Sequence, residues 1–167
     1  MRLALSDLFQ ARWTDQIHEE WINALLRDEG RFTREQLEHV KRLMDENVRD
    51  AKVEGYEDLI DSLELPDPDD RHVLAAAIRS NSDAIVTFNL RDFPQDTLDK
   101  YAIEVIHPDD FVYYQIDLSA GKACNAIKQQ REALKNPSKT KEELLSILQK
   151  QQLPQTVSAL KEYIELI

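Results

Sequence analysis

The chain has 167 residues, of which 42% are apolar and 32% are charged, a size and composition typical of a soluble globular domain with at most a small addition. No apolar run approaches the roughly 20 residues that a transmembrane helix needs, and the N-terminus lacks the pattern of a signal peptide. Cys124 is the only cysteine, which excludes an internal disulfide. We therefore expect a cytoplasmic protein.

The formal net charge of −11 argues against a broad basic surface for nucleic acid, because Lys and Arg supply most of the non-specific affinity for phosphates. The charge is uneven along the chain. Residues 118–167 contain eight Lys or Arg and five Glu, a net of +3, which leaves −14 for residues 1–117. A polyanion would bind this basic tail more readily than residues 1–117, although such a charged stretch is more commonly just the solvated face of a helix.

Helical patterns dominate the first 50 residues. Residues 3–9 have the apolar spacing of a helix end. Thr14 and Asp15 then predict a helix that runs to Asp28 and ends at Gly30. The apolar positions of this helix, at i, i+4, i+7 and i+8, are Ile17, Trp21, Ala24 and Leu25.

A second long helix is predicted after a capping box formed by Thr33 and Gln36. A strand is expected around Leu63, before two prolines that interrupt regular structure. The apolar positions of the second helix, at helical spacing, are Leu37, Val40, Met44 and Val48.

The segment LPDPDDRHVLAAAIRSNSDAIVTFNLRDF, residues 65–93, combines a helix and a strand with two groups of acids. Asp67 as N-cap and Pro68 at the first helical position predict a helix over residues 69–80. Residues 84–87 predict a short buried strand, and residues 103–106 predict another. Strands that alternate with helices favour a parallel, three-layer α/β fold.

Beyond residue 117 the pattern predicts helices alone, one of which begins with a capping box of Thr140 and Glu143. Asp109 and Asp110, after Pro108, are interpreted as structural residues that start a short helix. These patterns predict a domain over residues 1–117 and a helical C-terminal region over residues 118–167.

Carboxylates near both ends of the 65–93 segment suit a metal site. Ligands of open parallel sheets gather at the carboxyl ends of the strands, where Asp92, five residues after Thr87, and Asp70, in the first turn of its helix, are both expected. A divalent cation that binds two close carboxylates removes their repulsion. Helix capping or turn formation would select Asp67, Asp70, Asn89 and Asp92 as well, so the local pattern leaves both interpretations open.

The predicted helix at residues 15–28 supplies a further candidate in the pair Glu19 and Glu20. On a helical wheel Glu20 lies about 60° from Ile17 and about 40° from Ala24, and Glu19 points further from that face. Glu20 is therefore the better inward-facing ligand, with a solvated carboxylate as the default for either residue. The four histidines lack the ligand spacing of a zinc site.

Three strings, LPDPDDRHVLAAAI, AIVTFNLRDFP and IEVIHPDDF, closely resemble PIN domains, in particular bacterial toxin nucleases of the VapC type that carry an extra C-terminal helical region. The string RWTDQIHEEW is similar to the second-helix segment of that family. The resemblance implies a PIN-like three-layer α/β/α fold with a parallel sheet and a helical C-terminal appendage. It also implies RNA cleavage that depends on Mg2+ or Mn2+, a cognate antitoxin and a homodimer.

The resemblance assigns roles to six residues. It implies that the catalytic and metal-binding acids are Glu20, Asp70 and Asp92. Thr87 and Asn89 match a polar pair that lies beside the metal in the family. Asp67 matches a supporting acid.

The sequence differs from the family pattern at its N-terminus. PIN domains begin with a strand that ends in the first catalytic Asp, and this chain begins in what resembles the helix after that strand. Asp7 follows this helix, so it does not substitute for the missing acid. We therefore interpret Met1 as an internal start and expect weak or no nuclease activity.

Two other functions stay open on the residues alone. A non-catalytic PIN-like module would engage an antitoxin or another protein through exposed sheet edges and the helical tail. An α/β phosphatase-like metal hydrolase would turn over phosphate esters without a preference for RNA.

Overall fold

The computed structural model describes residues 2–27, 32–135 and 137–167. It divides into two compact units. The N-terminal unit consists of Ala11–Ile85 and Asn89–Val105, and the C-terminal unit of Met1–Gln10, Val86–Phe88 and Ile106–Ile167. The predicted domain boundary between residues 117 and 118 stays a prediction.

The described residues form a mixed α/β fold with nine α-helices and one two-stranded sheet, which confirms the predicted fold class. None of these helices is long and apolar enough to cross a membrane. The helices are α1 Asp15–Leu26, α2 Arg34–Asn47, α3 Glu57–Ile60, α4 Arg71–Arg79, α5 Gln95–Leu98, α6 Pro108–Leu118, α7 Ala120–Ala133, α8 Lys141–Lys150 and α9 Pro154–Glu162. The strands are β1 Ala84–Val86 and β2 Glu104–Ile106, and the 3-10 turns are Leu3–Leu5, Pro68–Asp70, Leu90–Asp92, Asp99–Tyr101 and Ile164–Leu166.

The sheet is short and parallel. The backbone N–H of Glu104 donates to Asp83 O at 2.9 Å, and that of Thr87 donates to Ile106 O at 3.0 Å, so both strands advance in the same direction. An isolated parallel bridge also joins Trp13 to Lys52. The strands predicted at residues 84–87 and 103–106 are therefore confirmed, each within one residue of its expected start. Their predicted burial is partly wrong, because Ile85 is buried but Val86 and Glu104 are exposed.

The N-cap of α1 is confirmed, because Thr14 accepts a hydrogen bond from the backbone N–H of Ile17. Its predicted inward face is partly wrong. His18 and Ile22 are fully buried, whereas Ala24 is exposed. The predicted end of this helix, Asp28 and Gly30, lies outside the described residues.

His18 is buried because its ring has polar partners on both sides. Trp21 Nε1 donates to His18 Nδ1 at 2.9 Å, and Asp45 Oδ1 lies 3.1 Å from His18 Nε2. Because Nδ1 accepts from Trp21, the proton of the neutral ring is assigned to Nε2, which faces Asp45. Trp13 Nε1 donates to the same oxygen of Asp45 at 2.8 Å, so this network links α1 to α2.

In α2 the capping box of Thr33 and Gln36 is confirmed, with both reciprocal hydrogen bonds present. Leu37 and Val48 are buried as predicted, but Val40 is 42% exposed. The expected strand around Leu63 is wrong, since this residue follows α3 in a turn and is buried there at 4% exposure. An apolar residue that anchors a turn gives the same local signal as a short strand.

The core of the N-terminal unit surrounds α4, whose Leu74 and Ala75 are fully buried. The helix predicted over residues 69–80 is confirmed as a 3-10 turn followed by α4, with Ser80 as its C-cap. Side chains from β1 and from the segments on either side of it complete this core, among them Val53, Tyr56, Leu63, Ile85, Phe93, Leu98 and Ile103.

The C-terminal unit has its own core. The capping box of Thr140 and Glu143 at the start of α8 is confirmed. Cys124 lies in this core, and burial raises the pKa of its thiol, which makes an inert side chain of it as expected from the sequence. Other residues that fill the core are Ile116, Ala123, Leu145, Val157, Leu160 and Ile167.

Candidate metal centre

Three carboxylates converge in the N-terminal unit. Asp67, Asp70 and Asp92 each offer one oxygen, and these atoms all lie within 4.8 Å of one another. Asp67 and Asp70 belong to the turn that leads into α4, and Asp92 ends the 3-10 turn that follows β1. The site is therefore built where a helix begins and the loop after a strand returns, as the sequence pattern predicted for Asp70 and Asp92.

Local hydrogen bonds hold two of the three acids. Asp67 Oδ1 accepts from the backbone N–H of Asp69 at 2.9 Å, which makes Asp67 the cap of its turn. Asn89 Nδ2 donates to Asp92 Oδ2. Asp67 thus fulfils the capping interpretation and also lies in the cluster, and Asn89 restricts the orientation of the Asp92 carboxylate.

The cluster is electrostatically unfavourable when its acids are ionised. The pKa of Asp70 is raised, first by burial and then by the neighbouring charges of Asp67, Asp92 and Glu20, while His72 acts in the opposite direction. A divalent cation among the carboxylates would offset this repulsion. A donor set made only of carboxylate oxygens fits Mg2+ or Mn2+ and not a metal that prefers nitrogen or sulfur.

Glu20 lies beside the cluster and is not one of its three convergent acids. Its Oε1 is 2.7 Å from His72 Nε2, and its side chain is 51% exposed. Glu19 is directed elsewhere, because its Oε2 pairs with Arg34 at 3.3 Å. Of the two neighbouring acids, Glu20 is the one whose charge acts on Asp70. The inward orientation that the helical wheel predicted for Glu20 is wrong, since its side chain is 51% exposed and that of Glu19 is 43% exposed.

Thr87 follows β1 and belongs to the C-terminal unit, where its backbone N–H is bonded to β2. Its role beside a metal stays a prediction.

His72 was not predicted to be a site residue, because the four histidines lack the ligand spacing of a zinc site. The structure buries this residue on α4 at 2% exposure, two positions after Asp70. The sequence could have predicted the burial of His72, since His72, Ala75 and Ala76 are spaced to lie on one face of the helix. For this residue, its place on an otherwise apolar helix face indicates a functional role better than its spacing from the other histidines does.

A cleft of about 510 Å3 adjoins Glu20 along the exposed side of α1. It is lined by Glu20, Asn23, Leu26 and Arg27. The cleft therefore places an amide and a guanidinium, both of which bind phosphate and base oxygens, next to an acid of the candidate site.

The family models agree with this architecture. A model described as PIN domain matches residues 1–91, and a model described as VapC50 C-terminal domain matches residues 108–162. The first match covers more than half of the 167 residues, so the chain belongs to the PIN-domain family.

Among curated proteins the chain is similar to one from Mycobacterium tuberculosis named "Putative ribonuclease VapC50". The two are 43% identical over 101 residues, which are 60% of this chain and 59% of that protein. The match thus spans less than two thirds of the relative. No solved structure matches the chain.

The raised pKa of Asp70 predicts that this acid destabilises the metal-free protein at neutral pH. Between the ordinary value of 3.8 and the raised folded value, the folded state holds the proton more tightly than the unfolded state, so stability falls as the pH rises through this window. Asp70→Asn should therefore stabilise the metal-free protein at pH 7 and raise its Tm.

Thermal unfolding in the presence of a chelator measures this effect. Asp69→Asn is the matched control, because Asp69 is exposed and lies outside the convergent set. Excess Mn2+ should raise the Tm of the wild type and of Asp69→Asn more than that of Asp70→Asn. A lower Tm for metal-free Asp70→Asn than for the wild type would contradict the proposed repulsion.

Proposed function

We propose that the chain is a divalent-metal-dependent endoribonuclease of the VapC toxin type, which cleaves RNA phosphodiester bonds. The observation that carries this proposal is the convergence of the Asp67, Asp70 and Asp92 oxygens within 4.8 Å of one another. Membership of the PIN-domain family and the similarity to a protein named as a ribonuclease support it.

In this proposal Glu20, Asp70 and Asp92 are the metal ligands and catalytic acids, and Asp67 supports them. A bound Mg2+ or Mn2+ would activate a water for attack and stabilise negative charge on the scissile phosphate. Asn89 would orient the water or the phosphate, and it also fixes Asp92 through its hydrogen bond. The same role for Thr87 stays a prediction from the resemblance.

Substrate binding has to overcome the charge of −14 on residues 1–117. RNA phosphates would approach this acidic surface only where cations reduce the repulsion. The bound metal supplies such a place, and Arg27 in the cleft beside Glu20 supplies a second. We infer that the RNA strand runs from the metal site along the exposed side of α1, with Asn23 within the same cleft.

The partners in this proposal are the RNA substrate, a cognate antitoxin and a second copy of the chain. They follow from the VapC type of the chain and its relative. An antitoxin would act by covering the acids or the cleft, because RNA needs access to both.

Cleavage of an end-labelled single-stranded RNA in Mn2+ or Mg2+, with the protein in excess, tests the proposal. We expect cleavage that a chelator abolishes and that restored Mn2+ recovers.

The same preparation should leave p-nitrophenyl phosphate intact, which separates a nuclease from a phosphatase-like hydrolase. Mn2+ binding without any RNA cleavage would favour the non-catalytic binding module instead. RNA cleavage that persists in the chelator would overturn the metal-dependent mechanism.

A further inference from the structure

We propose that His72 is a positioning residue that holds the carboxylate of Glu20 beside the acid cluster, so that Glu20 is available to a divalent cation. The proposal rests on the proposed function in one respect, since it takes Asp70 and its neighbours to be the metal-binding acids. It assigns His72 no direct contact with metal or RNA.

The burial of His72 requires an explanation. The residue is 2% exposed, and its neighbours on the buried face of α4 are apolar. Burying an imidazole removes water from both ring nitrogens, which is costly unless polar partners replace it. A leucine or an alanine at this position would fill the core without that cost.

Glu20 lies against the His72 ring, with its Oε1 2.7 Å from Nε2. This distance is that of a direct charge-assisted contact. The N–H direction is not aligned on the oxygen, and neither ring nitrogen has a well-aligned hydrogen bond among the described residues. Small torsions of the half-exposed Glu20 side chain align the contact without moving the buried ring.

The contact changes what Glu20 can do. A glutamate that is 51% exposed normally samples many rotamers, and fixing it on a metal costs conformational entropy. Contact with a ring held in the core restricts Oε1 beforehand. No other described residue hydrogen-bonds or pairs with Oε2, so this second oxygen is left for a cation.

The position of His72 also sets where Glu20 is held. Asp70 and His72 lie two residues apart at the start of α4, so the contact ties α1 to the turn that carries a central acid of the cluster. Glu19 shows the contrast, because its partner Arg34 is on the exposed surface of α2 and brings it no closer to α4.

Residues that hydrogen-bond a metal ligand commonly change metal affinity by about 10- to 100-fold when they are removed. His72→Met and His72→Gln form a matched pair for this test. Both side chains have similar volumes, but only glutamine carries an N–H donor near the position of His72 Nε2. We expect His72→Met to weaken Mn2+ binding by about 10-fold or more, and His72→Gln to retain most of the affinity.

Mn2+ affinity is measured on the full chain from the electron paramagnetic resonance signal of free Mn2+, without RNA. Thermal unfolding in chelator is recorded for every variant, and the comparison uses variants that are folded at the assay temperature. The same two substitutions are then made together with Glu20→Ala. If His72 acts through Glu20, His72→Met should have almost no effect on Mn2+ affinity in the Glu20→Ala background.

The inference would be overturned if folded His72→Met bound Mn2+ as tightly as the wild type does. It would also be overturned if His72→Met weakened Mn2+ binding as much in the Glu20→Ala background as in the wild type. Asp70→Asn separates this failure from failure of the proposed function. If Asp70→Asn loses Mn2+ affinity while His72→Met does not, only the positioning role is wrong. If Asp70→Asn binds Mn2+ as the wild type does, the metal site itself is wrong.

Discussion

Replacing Asp70 by Asn is expected to reduce Mn2+-dependent RNA cleavage by about 100-fold or more. Metal ions contribute several kcal/mol of charge stabilisation in the transition state, and each 1.36 kcal/mol corresponds to about a tenfold change in rate. Asn has the shape of Asp but lacks the charge that holds a cation. Asp70 is the most consequential of the three converging acids, because it is half-buried and near the charges of the other two and of Glu20.

Single-turnover cleavage of end-labelled RNA at saturating Mn2+ measures this loss. Asp69→Asn removes the same charge from the adjacent position and leaves the convergent set intact, so its rate should stay close to that of the wild type. Equal rates for the two variants would place the chemistry outside this cluster.

The two effects of Asp70→Asn have opposite signs, and this makes the test specific. A variant that loses activity because it unfolds also loses stability. Asp70→Asn should instead gain stability without metal while it loses cleavage, because the acid raises the electrostatic energy of the metal-free fold. Functional acids of this kind cost stability until their ligand binds.

The features that sequence predicted well are those set within a few residues. The capping boxes at Thr33 and Thr140 were predicted and are present, since each depends on two side chains three positions apart. Asp70 and Asp92 were expected to meet because one starts a helix and the other follows a strand, and the structure brings them together. Their roles in metal binding stay proposals.

The features that sequence did not predict depend on partners distant in the chain. His18 is buried because Trp21 and the distant Asp45 satisfy its ring, and the apolar pattern of α1 contains no sign of Asp45. Val40 is 42% exposed despite its helical spacing. The contact of His72 with Glu20 joins α4 to α1, so neither residue alone predicts it.

Asp109→Ala is expected to destabilise the protein by about 3 kcal/mol. Asp109 is 2% exposed near the start of α6, and its two oxygens accept from the backbone N–H groups of Gln155 and Thr156, each at 2.8 Å. Those groups lie in the first turn of α9, whose own N-cap residue, Leu153, has no side-chain oxygen to accept from them. Hydrogen bonds to a charged group contribute about 1.5–3 kcal/mol, and N-caps about 0.5–2 kcal/mol.

Urea unfolding measures this loss, and Asp110→Ala is the matched control. Asp110 is adjacent to Asp109 and, within the described part of the chain, accepts only from the exposed side chain of Gln155, so its loss should cost less than about 1 kcal/mol. Asp109→Asn keeps one acceptor oxygen and should fall between the two alanine variants. Similar stabilities for Asp109→Ala and Asp110→Ala would mean that α9 does not depend on the cap from α6.

If residues 118–167 form a separate domain, Asp109→Ala should produce a distinct first unfolding transition, because the lost cap lies at the start of α9 within that region.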